Sequence, residues 1–193
     1  MSLTEPRICV YCGSRTGRSA DFTALARETG RRIAGAGCGL VYGAGDNGLM
    51  GEVARAALGA GGPVIGFIPR HLVRLEVAKS DLSCVVVTET MHERKKLMFE
   101  NADAVLALPG GTGTLDELVE VLTWRHLGLH AKPLVLLDHA GYWQPFLGLL
   151  EHMAAQGFAD LSLLEHLTVV PDAAGAIEAI ATALSLPGGV ASP

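Results

Sequence analysis

Short apolar runs alternate with helix-length segments along the chain, and this alternation limits the possible folds more than any other feature. The runs are rich in valine, isoleucine and leucine and cover residues 7–12, 39–42, 64–68, 84–87, 104–108, 134–137 and 167–170. Most are separated by helix-length segments, at residues 20–36, 49–60, 90–102, 115–127, 142–156 and 173–184. Such runs suit strands buried on both faces. Their alternation with helices predicts an α/β fold, a doubly wound parallel sheet with helices on both faces.

The composition fits one such domain over residues 1–193. Because 49% of the 193 residues are hydrophobic, the chain can bury a core and is not intrinsically disordered. Its net charge of −5 offers no general attraction for a polyanion, so we expect no nucleic-acid partner. With no membrane-length apolar run and no secretory signal, the sequence predicts a cytoplasmic protein without a membrane partner. Residues 185–193 carry Pro and Gly and are expected to form a flexible tail.

The four cysteines argue against metal or redox chemistry. Cys9 and Cys12 form a C-x-x-C, but they lie in an apolar run that is predicted to be a strand, whereas redox motifs open helices. A zinc site would need a second close pair, and Cys38 and Cys84 stand alone. We therefore expect buried thiols, no metal site and no cofactor.

Three glycine-bearing turns follow predicted strands, and the carboxyl ends of parallel strands meet at one edge of a sheet. They are Gly13 with Ser14, residues 43–45 and residues 109–111. The third turn continues as Thr112-Gly113-Thr114-Leu115-Asp116-Glu117 into a helix. Glycine N–H groups, a helix N-terminus and threonine hydroxyls together suit a phosphate, although no Lys follows as in a P-loop. The alternative is purely structural, with Thr114 as the helix N-cap and Glu117 completing a capping box.

The second turn is a weaker signal. Gly43, Gly45 and Gly48 fit G-x-G-x-x-G, but the next strand ends in Pro69-Arg70 rather than in the acidic residue that binds a dinucleotide ribose. We therefore expect this turn to form the wall of a mononucleotide pocket instead of an NAD site.

A third segment places adjacent cations at a helix start. Thr90 and Glu93 fit a capping box, and Arg94, Lys95 and Lys96 follow in a position that opposes the helix dipole. They need a compensating partner, which could be solvent, an acidic neighbour or an anionic ligand. Either a solvated charge run or a binding site would explain them. The methionines and leucine nearby, Met91, Leu97 and Met98, are expected in the core.

Together, CVYCGS, VYGAGDNGLMG, the E-R-K ending at Lys95, PGGTGTLDE and LTWRHLGLHAKP resemble the LONELY GUY (LOG) family of cytokinin-activating phosphoribohydrolases over nearly the whole chain. The resemblance implies a Rossmann-like fold, a homodimer, and hydrolysis of the N-glycosidic bond of an N6-substituted AMP to free base and ribose 5-phosphate. Such proteins have also been labelled lysine decarboxylases, a function that these residues do not favour.

The resemblance also implies roles for individual residues. The catalytic Arg falls on Arg94 and the catalytic Glu on Glu117. The substrate- and phosphate-binding set comprises Gly13, Ser14, Gly45, Glu76, Arg94, Lys95, Gly110, Gly111, Thr112, Gly113, Thr114, Leu115, Asp116 and Thr123. The chain departs from the family pattern at Ala44, where many members have Gly, and at the variable pair Asp46-Asn47.

The chemistry of the residues agrees with these roles. Breaking a ribose–base bond passes through an oxocarbenium-like state, which the Glu117 carboxylate could stabilise while it deprotonates a water. Arg94 could hold Glu117 by a bidentate pair. Two other functions stay open, a broad nucleoside-monophosphate nucleosidase and a non-catalytic carrier of a phosphorylated cofactor. Trp124, His126, Leu127 and Leu129 cluster at a helix end and favour a homodimer.

Overall fold

The computed structural model describes residues 5–73 and 83–186. In these ranges, seven strands form one parallel sheet in the order β4-β3-β2-β1-β5-β6-β7. The strands are β1 (Arg7–Tyr11), β2 (Gly39–Tyr42), β3 (Val64–Pro69), β4 (Cys84–Thr88), β5 (Ala104–Ala107), β6 (Leu134–Leu137) and β7 (Leu167–Val170). Each lies on a predicted apolar run and differs from it by at most one residue at its end.

Helices cover both faces of this sheet. They are α1 (Ala20–Gly35), α2 (Gly48–Gly59), α3 (Met91–Glu100), α4 (Thr112–His126), α5 (Gln144–Ala155), α6 (Ser162–Glu165) and α7 (Ala173–Ala183). Side chains of α1, α2 and α7 form one core layer with the sheet. Those of α3, α4, α5 and α6 form the other layer. The predicted doubly wound α/β fold with helices on both faces is confirmed.

The strand order reverses between β1 and β5, which are hydrogen-bonded neighbours with Tyr11 opposite Ala107. From β1 the chain builds outward through β2, β3 and β4, and from β5 it builds the other way. The carboxyl ends flanking such a switch point leave a crevice that binds ligands in open α/β sheets. Here the crevice is bounded by the turns that follow β1 and β5.

The four cysteines are free thiols, and the predicted burial is confirmed for three of them. Cys9, Cys12 and Cys38 are buried and Cys84 is partly exposed. Because successive side chains of a strand point to opposite faces, Cys9 lies in one core layer and Cys12 in the other. Burial raises the pKa of both thiols well above the usual value, which keeps them protonated and unreactive.

Two expectations fall largely outside the described residues. Glu76 lies there, as do residues 187–193 of the expected tail. Leu186, just before them, packs against the core layer of α1, α2 and α7. No helix within the described ranges is both long and apolar enough to span a membrane.

Candidate active site

A cavity of about 650 Å³ opens at the carboxyl edge of the sheet, beside the switch point. Its walls come from the turns after β1 and β5, the starts of α1, α2, α3 and α4, the segment after β3, and the connection between β6 and α5. The lining residues are Cys12, Gly13, Ser14, Arg15, Thr16, Gly17, Phe22, Leu49, Met50, Leu72, Met91, Arg94, Pro109, Gly110, Gly111, Thr112, Gly113, Thr114, Asp116, Glu117 and Tyr142.

The start of α4 presents backbone N–H groups in this wall. The helix begins at Thr112 with Gly111 as its N-cap, and no side chain in the described ranges caps it. Since the first N–H groups of a helix have no partner inside the helix, those of Gly111 to Thr114 stay available to a ligand. The partial positive charge of a helix N-terminus makes this arrangement suitable for an anion.

Carbonyl oxygens of the same turn are already hydrogen-bonded. Pro109 O accepts from the N–H of Gly13 at 3.1 Å, and Gly111 O accepts from the N–H of Leu115 at 3.1 Å. Gly110 O accepts from the hydroxyl of Tyr142 at 2.5 Å. Among the contacts of the described residues, the acceptors of this turn are occupied and its donors have no partner, a polarity that favours an anionic ligand.

Glu117 lies in the cavity wall, one turn and a half into α4. With the N-cap at Gly111, Thr114 stands at the third helical position and Glu117 at the sixth. The capping interpretation of Glu117 is therefore wrong, because a capping-box carboxylate must stand at the third position. Burial raises the pKa of the Glu117 carboxyl to about 7, although the positive charge of Arg94 opposes part of this rise. A carboxyl with that pKa can exchange a proton near neutral pH.

Arg94 is buried, at 6% exposure, and points along the sheet edge rather than into solvent. Its Nε donates to Phe67 O and its Nη2 to Gly43 O, both at 3.1 Å. The expected bidentate pair with Glu117 is not formed in the described part of the chain. Two carbonyls fix the guanidinium instead, and its charge acts on Glu117 through space.

Acidic side chains on α4 compensate the positive charge of Lys95 at the start of α3. Its Nζ lies 3.0 Å from an oxygen of Asp116 and 3.2 Å from one of Glu120, so acidic neighbours on α4 neutralise it. The third cation of α3, Lys96, is exposed to solvent and lies 3.7 Å from Glu100. The solvated-run interpretation is therefore wrong for Arg94 and Lys95 and right for Lys96.

The start of α3 is capped much as predicted. Thr90 Oγ1 accepts from the N–H of Glu93 at 3.1 Å. The Glu93 carboxylate accepts from the N–H of Glu89 at 2.7 Å, one residue before the expected position.

The turn before α2 packs against the rest of the site. A Cβ on Gly43 would overlap the guanidinium of Arg94, and a Cβ on Gly48 would overlap the backbone of Ser14. Gly48 also has a φ of +60°, which favours glycine. These two glycines therefore allow close packing. Leu49 and Met50, immediately after them, contribute to the cavity wall.

The cavity brings together many of the residues that the sequence singled out. Those in its wall are Gly13, Ser14, Arg94, Gly110, Gly111, Thr112, Gly113, Thr114, Asp116 and Glu117. Within the described ranges, Gly45, Lys95, Leu115 and Thr123 lie outside the wall. Thr123 is roughly 16 Å along α4 from Thr112, and its hydroxyl donates to Val119 O at 2.7 Å.

Several lining residues were not expected from sequence. Phe22, Leu72 and Tyr142 carry no motif, and only the fold brings them to the edge. Met91, expected in the core, lies in the cavity wall beside Arg94 with its sulfur 3.8 Å from Nη1, whereas Met98 is buried as expected. Met91 is the first residue of α3, immediately after the turn that follows β4. This position near the carboxyl end of a strand is the sequence signal that could have placed Met91 at the site.

Comparisons with known proteins agree with this geometry. Residues 50–180 match a family model described as "Possible lysine decarboxylase". The chain is 46% identical over 178 residues to a cytokinin riboside 5'-monophosphate phosphoribohydrolase of Rhodococcoides fascians, covering 92% of this chain and 90% of the relative. It is 47% identical over 152 residues to the enzyme of that name, LOG, of Oryza sativa subsp. japonica, covering 79% of this chain and 63% of the relative.

Solved structures include a Moco carrier protein of Chlamydomonas reinhardtii with a TM-score of 0.71 and 26% identity, covering 94% of this chain and 98% of that one. This likeness fits the Rossmann-like architecture, but its sequence identity is well below that of the phosphoribohydrolases. With a family model that covers more than half of the chain and relatives above 40% identity, the chain belongs to the LOG family.

Proposed function

We propose that this protein hydrolyses the N-glycosidic bond of a cytokinin riboside 5'-monophosphate, an N6-substituted AMP, or of AMP itself, and releases free base and ribose 5-phosphate. One observation carries the proposal. The anion-suited N-terminus of α4 and a carboxyl with a pKa of about 7, Glu117, lie in the wall of one cavity. The names of the 46% and 47% identical relatives support the same reaction.

The phosphate of the nucleotide would bind at the start of α4. The free N–H groups of Gly111 to Thr114 and the hydroxyl of Thr112 are suited to its oxygens, and Gly13 and Ser14 lie in the same wall. Binding energy gained there is remote from the bond that breaks and serves to position the ribose. A preference for the monophosphate over the nucleoside follows.

Glu117 is proposed as the catalytic carboxylate. Water adds to the anomeric carbon, the glycosidic C–N bond breaks with its electron pair going to the base, and Glu117 accepts the proton of the water. Return of that proton through solvent neutralises the departing base and restores the carboxylate. The negative charge of Glu117 also stabilises the positive charge that develops on the ribose. Arg94, fixed by Phe67 O and Gly43 O, favours the ionised form of Glu117 and is proposed to contact the nucleotide.

Product analysis tests the reaction directly. The purified protein is incubated with AMP, N6-isopentenyl-AMP, GMP, CMP and UMP, and free base and ribose 5-phosphate are quantified. Fastest release from N6-isopentenyl-AMP supports the proposed specificity, and equal release from all five indicates a broad nucleosidase. Binding of a nucleotide without release of any base would overturn the proposed activity and favour a carrier.

We also propose a homodimer that works in the cytoplasm. Leu127 and Leu129 are 65% and 70% exposed at the end of α4, which is unusual for leucine and suits a partner surface. The free thiols fit a reducing compartment. Light scattering after size exclusion should show a dimer that Leu127→Glu weakens. A monomeric wild-type protein at micromolar concentration would contradict this proposal.

A further inference from the structure

We infer that Tyr142 is a positioning residue for phosphate, because its hydroxyl holds the peptide that carries the N–H of Gly111 at the start of α4. The hydroxyl donates to Gly110 O at 2.5 Å, across a separation of 32 residues in sequence. Tyr142 and both glycines lie in the cavity wall. The inference rests on the proposed function for the identity of the ligand.

The peptide bond between Gly110 and Gly111 transmits this contact. Because a trans peptide is planar, its C=O and N–H point in opposite directions, so holding the Gly110 carbonyl also directs the N–H of Gly111. Glycine on both sides makes rotation of this peptide inexpensive. No described heavy atom lies within 4 Å of the position that a Cβ on Gly111 would occupy, so packing does not restrain that side of the peptide.

Neighbouring peptides of the turn are restrained differently. Backbone N–H groups hold Pro109 O and Gly111 O, through Gly13 and Leu115. In the described contacts of these three carbonyls, only that of Gly110 is held by a side chain. Loss of one hydroxyl would therefore release one peptide and leave the adjacent ones in place.

The Tyr142 ring is well anchored, which makes its hydroxyl a rigid support. It packs edge-to-face on Phe22, with ring centroids 5.7 Å apart, and on Trp143 at 5.1 Å. Trp143 is only 2% exposed, and its backbone N–H donates to a carboxylate oxygen of Asp138 at 2.6 Å. The connection between β6 and α5 thus supports the turn before α4 by direct contact.

Tyr142→Phe tests the inference, because it keeps both ring contacts and removes only the hydroxyl. Titration calorimetry with AMP, inorganic phosphate and adenosine, run on proteins that also carry Glu117→Gln so that AMP is not hydrolysed, measures binding alone. We expect AMP and phosphate to bind roughly three- to tenfold more weakly, the effect of one hydrogen bond, and adenosine to bind as before. In steady-state assays, KM for the monophosphate should rise while kcat stays within about twofold.

Gln144→Ala is the matched control. The Gln144 amide donates to the other oxygen of Asp138 at 2.6 Å, so this variant removes one hydrogen bond from the same connection without touching Gly110. It should bind AMP like the wild type. Equal AMP affinity in Tyr142→Phe and wild type, or an equal loss for AMP and adenosine, would overturn the inference while leaving the proposed reaction intact. Weakened phosphate binding in a protein that releases no base would support the inference and overturn only the reaction.

Discussion

The turn before α2 and the turn before α4 both join a parallel strand to a helix and both are rich in glycine, but their glycines meet different surroundings. A side chain at Gly43 or Gly48 would collide with Arg94 or with the backbone of Ser14. Around Gly111 and Gly113, no described heavy atom lies within 4 Å of a Cβ position. The turn before α2 is packed by the protein itself, whereas the turn before α4 is packed at Gly110, where a Cβ would overlap Thr114, and borders open space at Gly111 and Gly113.

This contrast shows what a glycine-rich turn can contribute to a site. The packed turn supplies Gly43 O, which holds the Arg94 guanidinium, and so positions a charge. The open turn leaves its N–H groups accessible and so provides a place for a phosphate. Glycine content alone does not distinguish these roles, because the difference depends on what the fold places beside each turn.

The largest expected effect concerns Glu117, which is carried by the helix that follows the open turn. Glu117→Gln keeps the size of the side chain but removes its charge, so we expect kcat for monophosphate hydrolysis to fall by on the order of 10² to 10⁴. AMP affinity should be largely kept by the Gly110 to Thr114 turn. Single-turnover assays with calorimetric binding check both, and turnover within a few-fold of wild type would refute the catalytic role.

Thermal unfolding of the same variant provides a control with a defined sign. The pKa of Glu117 is raised to about 7 in the folded state from 4.5, so its ionisation destabilises the fold as pH rises between these values. Glu117→Gln should therefore be more stable than wild type at pH 8, by on the order of 2 kcal/mol or roughly 5 °C in Tm. At pH 4 the two proteins should have similar Tm values. A lower Tm at pH 8 would mean that the carboxylate has a structural role.

Alanine substitutions of one glycine in each turn probe the contrast directly. Gly48→Ala adds a Cβ that overlaps the Ser14 backbone at a φ of +60°, so we expect a loss on the order of 3 kcal/mol, seen as a fall of roughly 10 °C in Tm. Gly113→Ala adds a Cβ in open space at the second residue of α4, so Tm should change by no more than a few degrees.

For Gly113→Ala we expect a small change in Tm but a clear loss of AMP affinity, which calorimetry would measure. Because Gly113 lies in the cavity wall, the added methyl group takes space beside the N–H groups, and AMP affinity should fall several-fold. If Gly113→Ala lowered Tm as strongly as Gly48→Ala, the distinction between a packed turn and an open turn would not hold.

The sheet was predictable because buried parallel strands leave a local signal. Each apolar run coincides with a strand. The inner strands β1, β2, β3, β5 and β6 are almost wholly buried, which favours apolar residues along their length, whereas the edge strands β4 and β7 are partly exposed. Helix starts were less predictable. α4 begins at Thr112 rather than at residue 115, although Thr and Gly are poor helix formers, because the Leu115 N–H closes a turn on Gly111 O. The single-turn helix α6 was missed because four residues carry no periodicity.

For the site, sequence identified the residues that follow strands but not what they contact. Motif spacing placed Arg94 and Glu117 at one edge, yet the partners of Arg94 lie 27 and 51 residues away in sequence, on β3 and after β2. Tyr142 comes from a connection without any motif and reaches Gly110 only through the order of β1, β5 and β6. Such contacts depend on the tertiary fold, so no local sequence pattern predicts them.

The pH dependence of the reaction tests the electrostatic effect of Arg94, held by the packed turn, on Glu117, which follows the open turn. If Glu117 acts as a base with a pKa of about 7, kcat/KM should fall about tenfold for each pH unit below 7 and level off above it. The phosphate of the substrate titrates near pH 6, so a limb of the pH–rate profile centred there would belong to the substrate instead.

The positive charge of Arg94 lowers the pKa of Glu117. NMR titration of the Glu117 carboxyl in Arg94→Gln should therefore show a higher pKa than in the wild type.

The smallest expected effect concerns Ala44, inside the packed turn, where a non-glycine residue adopts a φ of +58°. Such a backbone strains an alanine by about 1 kcal/mol, and Ala44→Gly would relieve it but would also remove a fully buried methyl group worth about 0.8 kcal/mol. We expect a Tm within about 2 °C of the wild type.

Ala140 has a φ of +53° and is exposed, so Ala140→Gly relieves the same strain without losing packing and should raise Tm by a few degrees. A gain for Ala44→Gly as large as for Ala140→Gly would show that the Ala44 methyl group contributes nothing to the packed turn, and would weaken the contrast between the two turns.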